Sequence, residues 1–457
     1  MAEVTSQQAI TTTHIWFSSE RRESDDGTTY TVQVKHQETK TEIKIVVRRV
    51  PDPPSEEQVQ AAADRLAEQG VEPEAIERVL TEMIESGALT GSNGDAVAGD
   101  WIGFTGGAVE PNASNLIAES AASAPPPPAG DLDGTTDVTQ AAEAHFDDWD
   151  ANADGVLSED ELLDAIADPA YTGEDAAALV ALYRRYDEVK SASNDQVFGE
   201  TGISVNDLLV VEAAAANGDD FARLGVYFDA AKDRADNASA VLFGAGGPDP
   251  YAVQQGGFAD CTFHAALAAL ALQRPDDITN MIQANADGSF TVTFPGEDPV
   301  NVPPLTDGQL GIGGTAGANG QWVTVLEIAY REVTGNREGA LTGAGIRTLT
   351  GNGTIPWLPG LDSPDSILAS VEASLDADGI VTVSNNFGSE NLPEWHIYSV
   401  LDYDTANGTI TIRNPWGRGE LEDASGAPLD GTDDGVFTVT EEEFLELFES
   451  VSVENVD

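Results

Sequence analysis

The pattern of hydrophobic and polar positions changes character several times along the chain. Tyr30, Val32 and Val34 alternate with polar residues, and Ile43, Ile45 and Val47 do so again after a polar break. This period-two pattern, with Asp26-Gly27 as a turn signal, predicts a small β-meander over 1–52. Ser55 offers an N-cap, Gly70 a stop, and Pro73 suits the first turn of a second segment. Ile76, Val79, Leu80, Met83 and Ile84 then recur at helical spacing, so 55–88 is expected to form a helical hairpin. Periodicity disappears over 89–136, where Pro125-Pro126-Pro127-Pro128 favours an extended spacer, and this stretch predicts a linker. Acidic, alanine-rich helical segments follow over 137–236. From 238 to 457 the texture is mixed α and β with many glycine turns. No repeat of fixed period is present.

Charge changes the picture next. The 457 residues hold 80 acidic against 21 basic side chains, a formal net charge of −59. Such a field repels nucleic acid and anionic membrane, so neither is expected as a partner. It attracts cations, Ca²⁺ among them, and suits high salt, although a merely solvated surface accounts for it equally well. The single cysteine excludes an intramolecular disulfide and a zinc–thiolate cluster. The N-terminal residues lack the basic and apolar regions of a secretory signal, and no run approaches the ~18 apolar residues of a membrane span. These features predict a cytoplasmic location, with leaderless export as the alternative.

Residues 150–161, Asp-Ala-Asn-Ala-Asp-Gly-Val-Leu-Ser-Glu-Asp-Glu, fit the EF-hand loop at each diagnostic position. Asp150, Asn152 and Asp154 would offer side-chain oxygens to Ca²⁺, Val156 its carbonyl, Ser158 a direct or water-mediated contact, and Glu161 a bidentate carboxylate. Gly155 permits the sharp turn. An acidic helix-turn-helix is the plainer alternative. Gly202 to Leu208 resembles the second half of a partner loop, with Ile203 opposite Leu157. Its first half does not fit, which predicts a structural partner hand rather than a second calcium site.

The lone cysteine is an inert small hydrophobe unless its neighbours argue otherwise. Here a glycine-rich approach, Gln255-Gly256-Gly257-Phe258-Ala259-Asp260, leads into Cys261 and an apolar helical run. A thiol at a helix N-terminus gains thiolate character from the dipole and the exposed N–H groups. Gln255 can offer its side-chain N–H to an oxyanion, beside the Cys261 backbone N–H. Downstream, Trp395-His396-Ile397-Tyr398-Ser399-Val400 and Ile410-Thr411-Ile412-Arg413-Asn414-Pro415-Trp416-Gly417 read as strands. Adjacent antiparallel pairing would bring Asn414 beside His396, orienting the ring so that its other nitrogen takes the thiol proton. His264, three positions after Cys261, reads as packing or solvent contact.

These blocks resemble, in order, the signature blocks of calpain-type cysteine proteases. Leu242-Phe243 with Pro248, the run Trp322 to Tyr330, Gly435-Val436-Phe437 and Glu443-Phe444 add to the resemblance, which covers 238–457. It implies an α+β, papain-like core of two subdomains, one carrying the Cys261 helix and one, β-rich, carrying His396 and Asn414. It also implies that Trp416 shields the Asn414–His396 hydrogen bond, and that proteins are cut at flexible segments with weak sequence preference. The family usually has Gly-Asp-Cys-Trp where this chain has Ala259-Asp260-Cys261-Thr262, and its calcium hand lies before the protease region, not after it.

The whole reads as a multidomain calpain-like cysteine endopeptidase acting through a Cys261 thioester, with Ca²⁺ as cofactor and proteins or peptides as substrates. Dependence of catalysis on calcium is expected from the loop at 150–161. Two alternatives stay open. One is a calcium-binding interaction protein with a degenerate protease domain, and the other is a papain-fold acyltransferase.

Overall fold

A computed structural model describes residues 2–23, 29–50, 133–193, 202–216, 221–335, 342–359, 362–385, 392–393, 395–422 and 427–456. The helical hairpin expected over 55–88 and nearly all of the linker lie outside these residues. The chain divides into two compact units. In the first, strand β1 (Ala2–Glu23) pairs antiparallel with β2 (Thr29–Val50), in register from Ala2↔Val50 to Glu23↔Thr29. One long hairpin therefore stands where a meander was expected over 1–52. The polar break His36 to Lys40 contains neither Gly nor Pro, so nothing in it forces the backbone to turn.

The second unit begins with a helix at Asp133–Trp149, which takes in the end of the expected linker. Helices Glu159–Ile166, Glu174–Arg184, Val205–Ala215 and Leu224–Asp236 follow. They enclose a core that includes Trp149, Leu157, Leu162, Leu179, Ile203 and Phe228. The second and fourth of these five helices start from capping boxes, Ser158 with Glu161 and Ser204 with Asp207. Just before those caps, β3 (Val156–Leu157) pairs antiparallel with β4 (Ile203–Ser204), setting Leu157 directly opposite Ile203. Phe258 and Ile312 from further along the chain join the same core.

Two more cores follow. The first surrounds the helix Cys261–Gln273, with the helix Trp322–Thr334 and a three-stranded antiparallel sheet, β5 (Ile282–Ala284), β6 (Phe290–Val292) and β7 (Val300–Val302). Every residue from Cys261 to Ala271 is buried. The run is apolar almost all round, and five alanines let neighbours approach on each side. Phe263 stacks on Tyr330 with ring centroids 4.4 Å apart.

The second core lies on a six-stranded antiparallel sheet with the order β12-β11-β10-β9-β13-β8. Its strands are β8 (Thr354–Trp357), β9 (Val381–Asn385), β10 (His396–Asp404), β11 (Thr409–Arg413), β12 (Val436–Thr440) and β13 (Ser450–Glu454). The Cys261–Gln273 helix packs on β10, where Ser399 Oγ donates to the Ala265 carbonyl at 2.7 Å. This seam brings the helix start to the start of the strand. Among the described residues, no helix is long and apolar enough to cross a membrane.

Candidate active site

The approach to Cys261 is held from both sides. Gln254 exchanges backbone hydrogen bonds of 2.8 Å with Thr315, Gln255 N donates to Pro415 O at 2.8 Å, and Gly257 N donates to Ile312 O at 2.6 Å. A Cβ on Gly256 would lie 2.1 Å from the Ile312 carbonyl oxygen, so only glycine allows this closeness. Cys261 is the first residue of its helix, with Asp260 as a cap whose side chain makes no capping bond. Cys261, Ala265 and Ile397 pack together.

His396 opens β10, paired with Asn385 of β9, and both are fully buried. Trp395 before it has φ +54°, the left-handed region that a bulky side chain rarely adopts. His396 Nε2 lies 2.9 Å from Asn414 Oδ1. That oxygen also accepts from Trp416 N at 3.0 Å, while Asn414 Nδ2 donates to Gly419 O at 2.8 Å and its backbone N to Gly435 O at 2.7 Å. The amide is thus fixed oxygen-first toward the ring. Asn414 engages the ring through Nε2. The Trp416 ring lies beside the imidazole, centroids 4.2 Å apart.

Gln255 is buried, and its Nε2 donates to the Phe258 carbonyl at 2.7 Å. That bond fixes the orientation of the amide beside the start of the Cys261 helix. Burial pushes the Cys261 thiol up to about 12, and the Asp260 charge adds to the rise. The Ile397, Thr262 and Cys261 backbones counter it only partly. In this geometry the sulfur is a protonated thiol.

Thr262 stands where the family has tryptophan. It is buried, its Oγ1 donates to Thr342 O at 3.2 Å, and Gly345 packs so closely that a Cβ there would meet the Thr262 carbonyl at 2.2 Å. The space beside the nucleophile is filled by the 342–345 segment.

His264 is packed in the interior, away from solvent, and it also sits between two acids. Its Nδ1 lies 3.0 Å from Asp260 Oδ1 and its Nε2 3.5 Å from Glu327 Oε1, all three side chains being buried. Burial lowers the affinity of the ring for a proton, but Asp260 and then Glu327 outweigh this and hold the His264 pKa above its ordinary value. Burial, then the Asp260 charge, raises Glu327 to about 8. Glu327 Oε2 accepts from Gly314 N at 2.8 Å. The Asp260–His264 spacing of four helical positions was a readable signal, whereas Glu327 arrives only through the tertiary fold.

In the loop at 150–161, Gly155 has φ +89° and Asp150 accepts from Asp154 N at 3.1 Å and Gly155 N at 2.8 Å. Glu161 accepts from Asn152 N at 3.2 Å, Ser158 N at 2.9 Å and Ser158 Oγ at 2.7 Å. Burial raises the Glu161 carboxyl, but these hydrogen bonds bring it below the ordinary value, so it is ionised. Asp150 and Glu161, from opposite ends of the loop, are folded inward with their oxygens held by the loop backbone. That donor set of hard oxygens suits Ca²⁺.

Residues 232–427 match the family model described as calpain family cysteine protease. The calpain-1 catalytic subunit of Bos taurus is 29% identical over 209 residues, covering 39% of this chain and 28% of that protein. Those of Sus scrofa and Homo sapiens are each 27% identical, over 210 and 198 residues, covering 39% and 36% of this chain and 28% and 27% of theirs. The chain therefore carries a calpain-type cysteine protease domain, and the similarity spans little more than a quarter of those relatives.

Proposed function

We propose that the calpain-type domain is an active cysteine endopeptidase, with Cys261 as nucleophile, His396 as general base and Asn414 as the residue that positions the imidazole. The observation that carries this reading is the 2.9 Å His396–Asn414 bond beside Trp416, at the strand end that meets the Cys261 helix. Cys261 passes its proton to His396 Nδ1, and Sγ forms a bond to the peptide carbonyl carbon as the C=O π pair moves to oxygen. Gln255 Nε2–H and the Cys261 N–H stabilise that oxyanion. Collapse breaks the C–N bond, and the amine leaves with the proton from His396. Water, deprotonated by His396, then cleaves the thioester and restores the thiol.

Burial holds the Cys261 thiol high, so the active pair requires His396 to take its proton as substrate binds. Asp150, Asn152, Asp154, Val156, Ser158 and Glu161 would hold the ion. Calcium bound there would fix the loop from which the Glu159–Ile166 helix emerges. That helix runs to the protease region, where its terminal carbonyl, Ile166 O, accepts from Thr306 Oγ1 at 2.6 Å, and Gly173 N donates to Asp307 Oδ2 at 2.8 Å. These contacts are a route by which the loop can bear on the segment that braces Gly257.

Casein hydrolysis by the wild type and by Cys261→Ser, each with calcium and with EGTA, tests both parts. Cleavage by wild type in calcium alone is expected. Equal cleavage in EGTA removes the calcium control, and cleavage by Cys261→Ser removes the nucleophile. The burial of Cys261, only 4% exposed, favours the rival reading of a calcium-binding interaction protein with an inactive domain. An irreversible thiol-directed peptidyl inhibitor that fails to label wild type under any calcium condition would decide for the rival.

A further inference from the structure

A cavity of about 370 Å³ lies beside Gln255 and Trp416, walled also by Arg184, Tyr227, Arg234 and Arg418. Its chemistry runs against the rest of the molecule. In a chain with 80 acidic and 21 basic side chains, three arginines converge here from two helices and the loop after Asn414, and Asp233 is the single acid on the wall. Arg184 and Arg234 are held in place. The Arg184 guanidinium lies over the Tyr227 ring, 4.9 Å from its centroid, and Arg234 Nη2 donates to Gly313 O. Burial, then the charges of Arg184 and Arg418, pull the Arg234 pKa down to about 10, with Glu327 opposing. Arg418 is lowered by burial against the pull of Asp433, and Arg184 by burial and by Arg185. Three guanidiniums on one wall, with Arg234 feeling the charge of the other two, make a place where an anion is favoured.

From this charge reversal and its place beside Gln255 and Trp416, we propose that the cavity binds an acidic side chain of the polypeptide seated in the catalytic cleft, so that substrates carry Asp or Glu at a fixed distance from the scissile bond. This rests on the protease reading and narrows it to a substrate class. The volume accommodates a carboxylate-bearing side chain with water. A preference of this kind is local. At ordinary salt the Debye length of about 8 Å screens the acidic remainder of the surface, while the walled arginines still act on a group within hydrogen-bond reach.

The test separates binding from chemistry. A fluorescein-labelled decapeptide of neutral residues, and variants with one Glu at each position in turn, are titrated by anisotropy against full-length Cys261→Ala protein in calcium and in EGTA. One position, or two adjacent ones, should bind about tenfold tighter than the parent, the gain of one charge-assisted hydrogen bond. Arg418→Gln and Arg184→Gln should each return that peptide to parent affinity without weakening the parent, and Arg418→Lys should keep most of the gain. Absence of any favoured position, or a gain that survives both glutamine variants, overturns the site. Hydrolysis of the same peptides by protein with Cys261 intact is scored apart. Cleavage without a favoured position removes the acidic site and leaves the protease. A favoured position without cleavage under any calcium condition keeps the site and removes the protease.

Discussion

Trp416 lies beside His396 with ring centroids 4.2 Å apart, and its backbone N–H holds the Asn414 oxygen that the same histidine engages. One residue thus both covers the imidazole–amide bond and fixes the amide's orientation. A hydrogen bond shielded from water is stronger and better aligned than an exposed one. The His396 ring is therefore positioned by the Asn414-Pro415-Trp416-Gly417 turn as a whole.

It follows that Asn414→Ala should lower kcat/KM for a protein substrate by roughly 10²- to 10⁴-fold, the range for losing the group that orients a catalytic histidine. KM should move little, because Asn414 is fully buried and does not reach substrate. Steady-state hydrolysis of a fluorogenic peptide checks this. A variant with wild-type kcat would show that Asn414 does not orient the base.

The loop at 150–161 offers a measurement independent of catalysis. Glu161→Gln removes the charge of the carboxylate that closes the loop, and should weaken calcium binding by at least about tenfold. Trp149, which ends the entering helix next to Asp150, is placed to sensitise terbium luminescence. Displacement of terbium by calcium would read the affinity in wild type and variant. Equal affinities would mean that the ion, if bound, sits elsewhere.

Much of the candidate site's placement was legible because its parts announce themselves locally. Gln255, Cys261, His396 and Asn414 each sit in a run whose glycines, apolar stretch or strand alternation fixes their place on an element. The antiparallel pairing of β10 with β11 then puts His396 and Asn414 in one neighbourhood. Leu157 and Ile203 were readable from their matching places in the 150–161 loop pattern and its half-matching partner, and β3 and β4 pair them. What stayed hidden depends on distant chain. Glu327 looks like one acid among many until the fold carries it to His264, and the filling of the Thr262 neighbourhood depends on the 342–345 segment. At the N-terminus, alternation gave the strands of 1–52 but not their number, since a polar break without Gly or Pro does not say whether the strand turns.

The Thr262 environment predicts that restoring the family's residue will not improve the enzyme. Thr262→Trp would force an indole into the space occupied by Thr342 and Gly345, where a single added Cβ already comes within 2.2 Å of backbone. Overpacking of this kind costs about 1–3 kcal/mol. A lower midpoint in urea at unchanged m-value, with no gain in hydrolysis, is expected. A variant as stable as wild type would show that this segment yields readily.

The Asp260–His264–Glu327 cluster gives the protein a pH signature that can be traced to one side chain. Glu327 is held above its ordinary 4.5, up to about 8, chiefly by burial. His264 is also held above its ordinary 6.5 by the two carboxylates. For a group with a raised pKa the folded state binds the proton more tightly than the unfolded one. Its contribution is therefore complete below the unfolded value and lost as pH rises through the folded value. Glu327 should make stability fall between about pH 4.5 and 8, and His264 should add to that fall above pH 6.5. Arg331 opposes the rise of Glu327 without reversing it. Glu327→Gln keeps the shape and the hydrogen bond from Gly314 N but cannot ionise. Its thermal midpoint, plotted against pH and compared with wild type, should be flatter over that window, whatever the other carboxylates contribute to both curves. Parallel curves would mean that Glu327 is charged in the folded protein at all these pH values, and that His264 carries the compensating proton throughout.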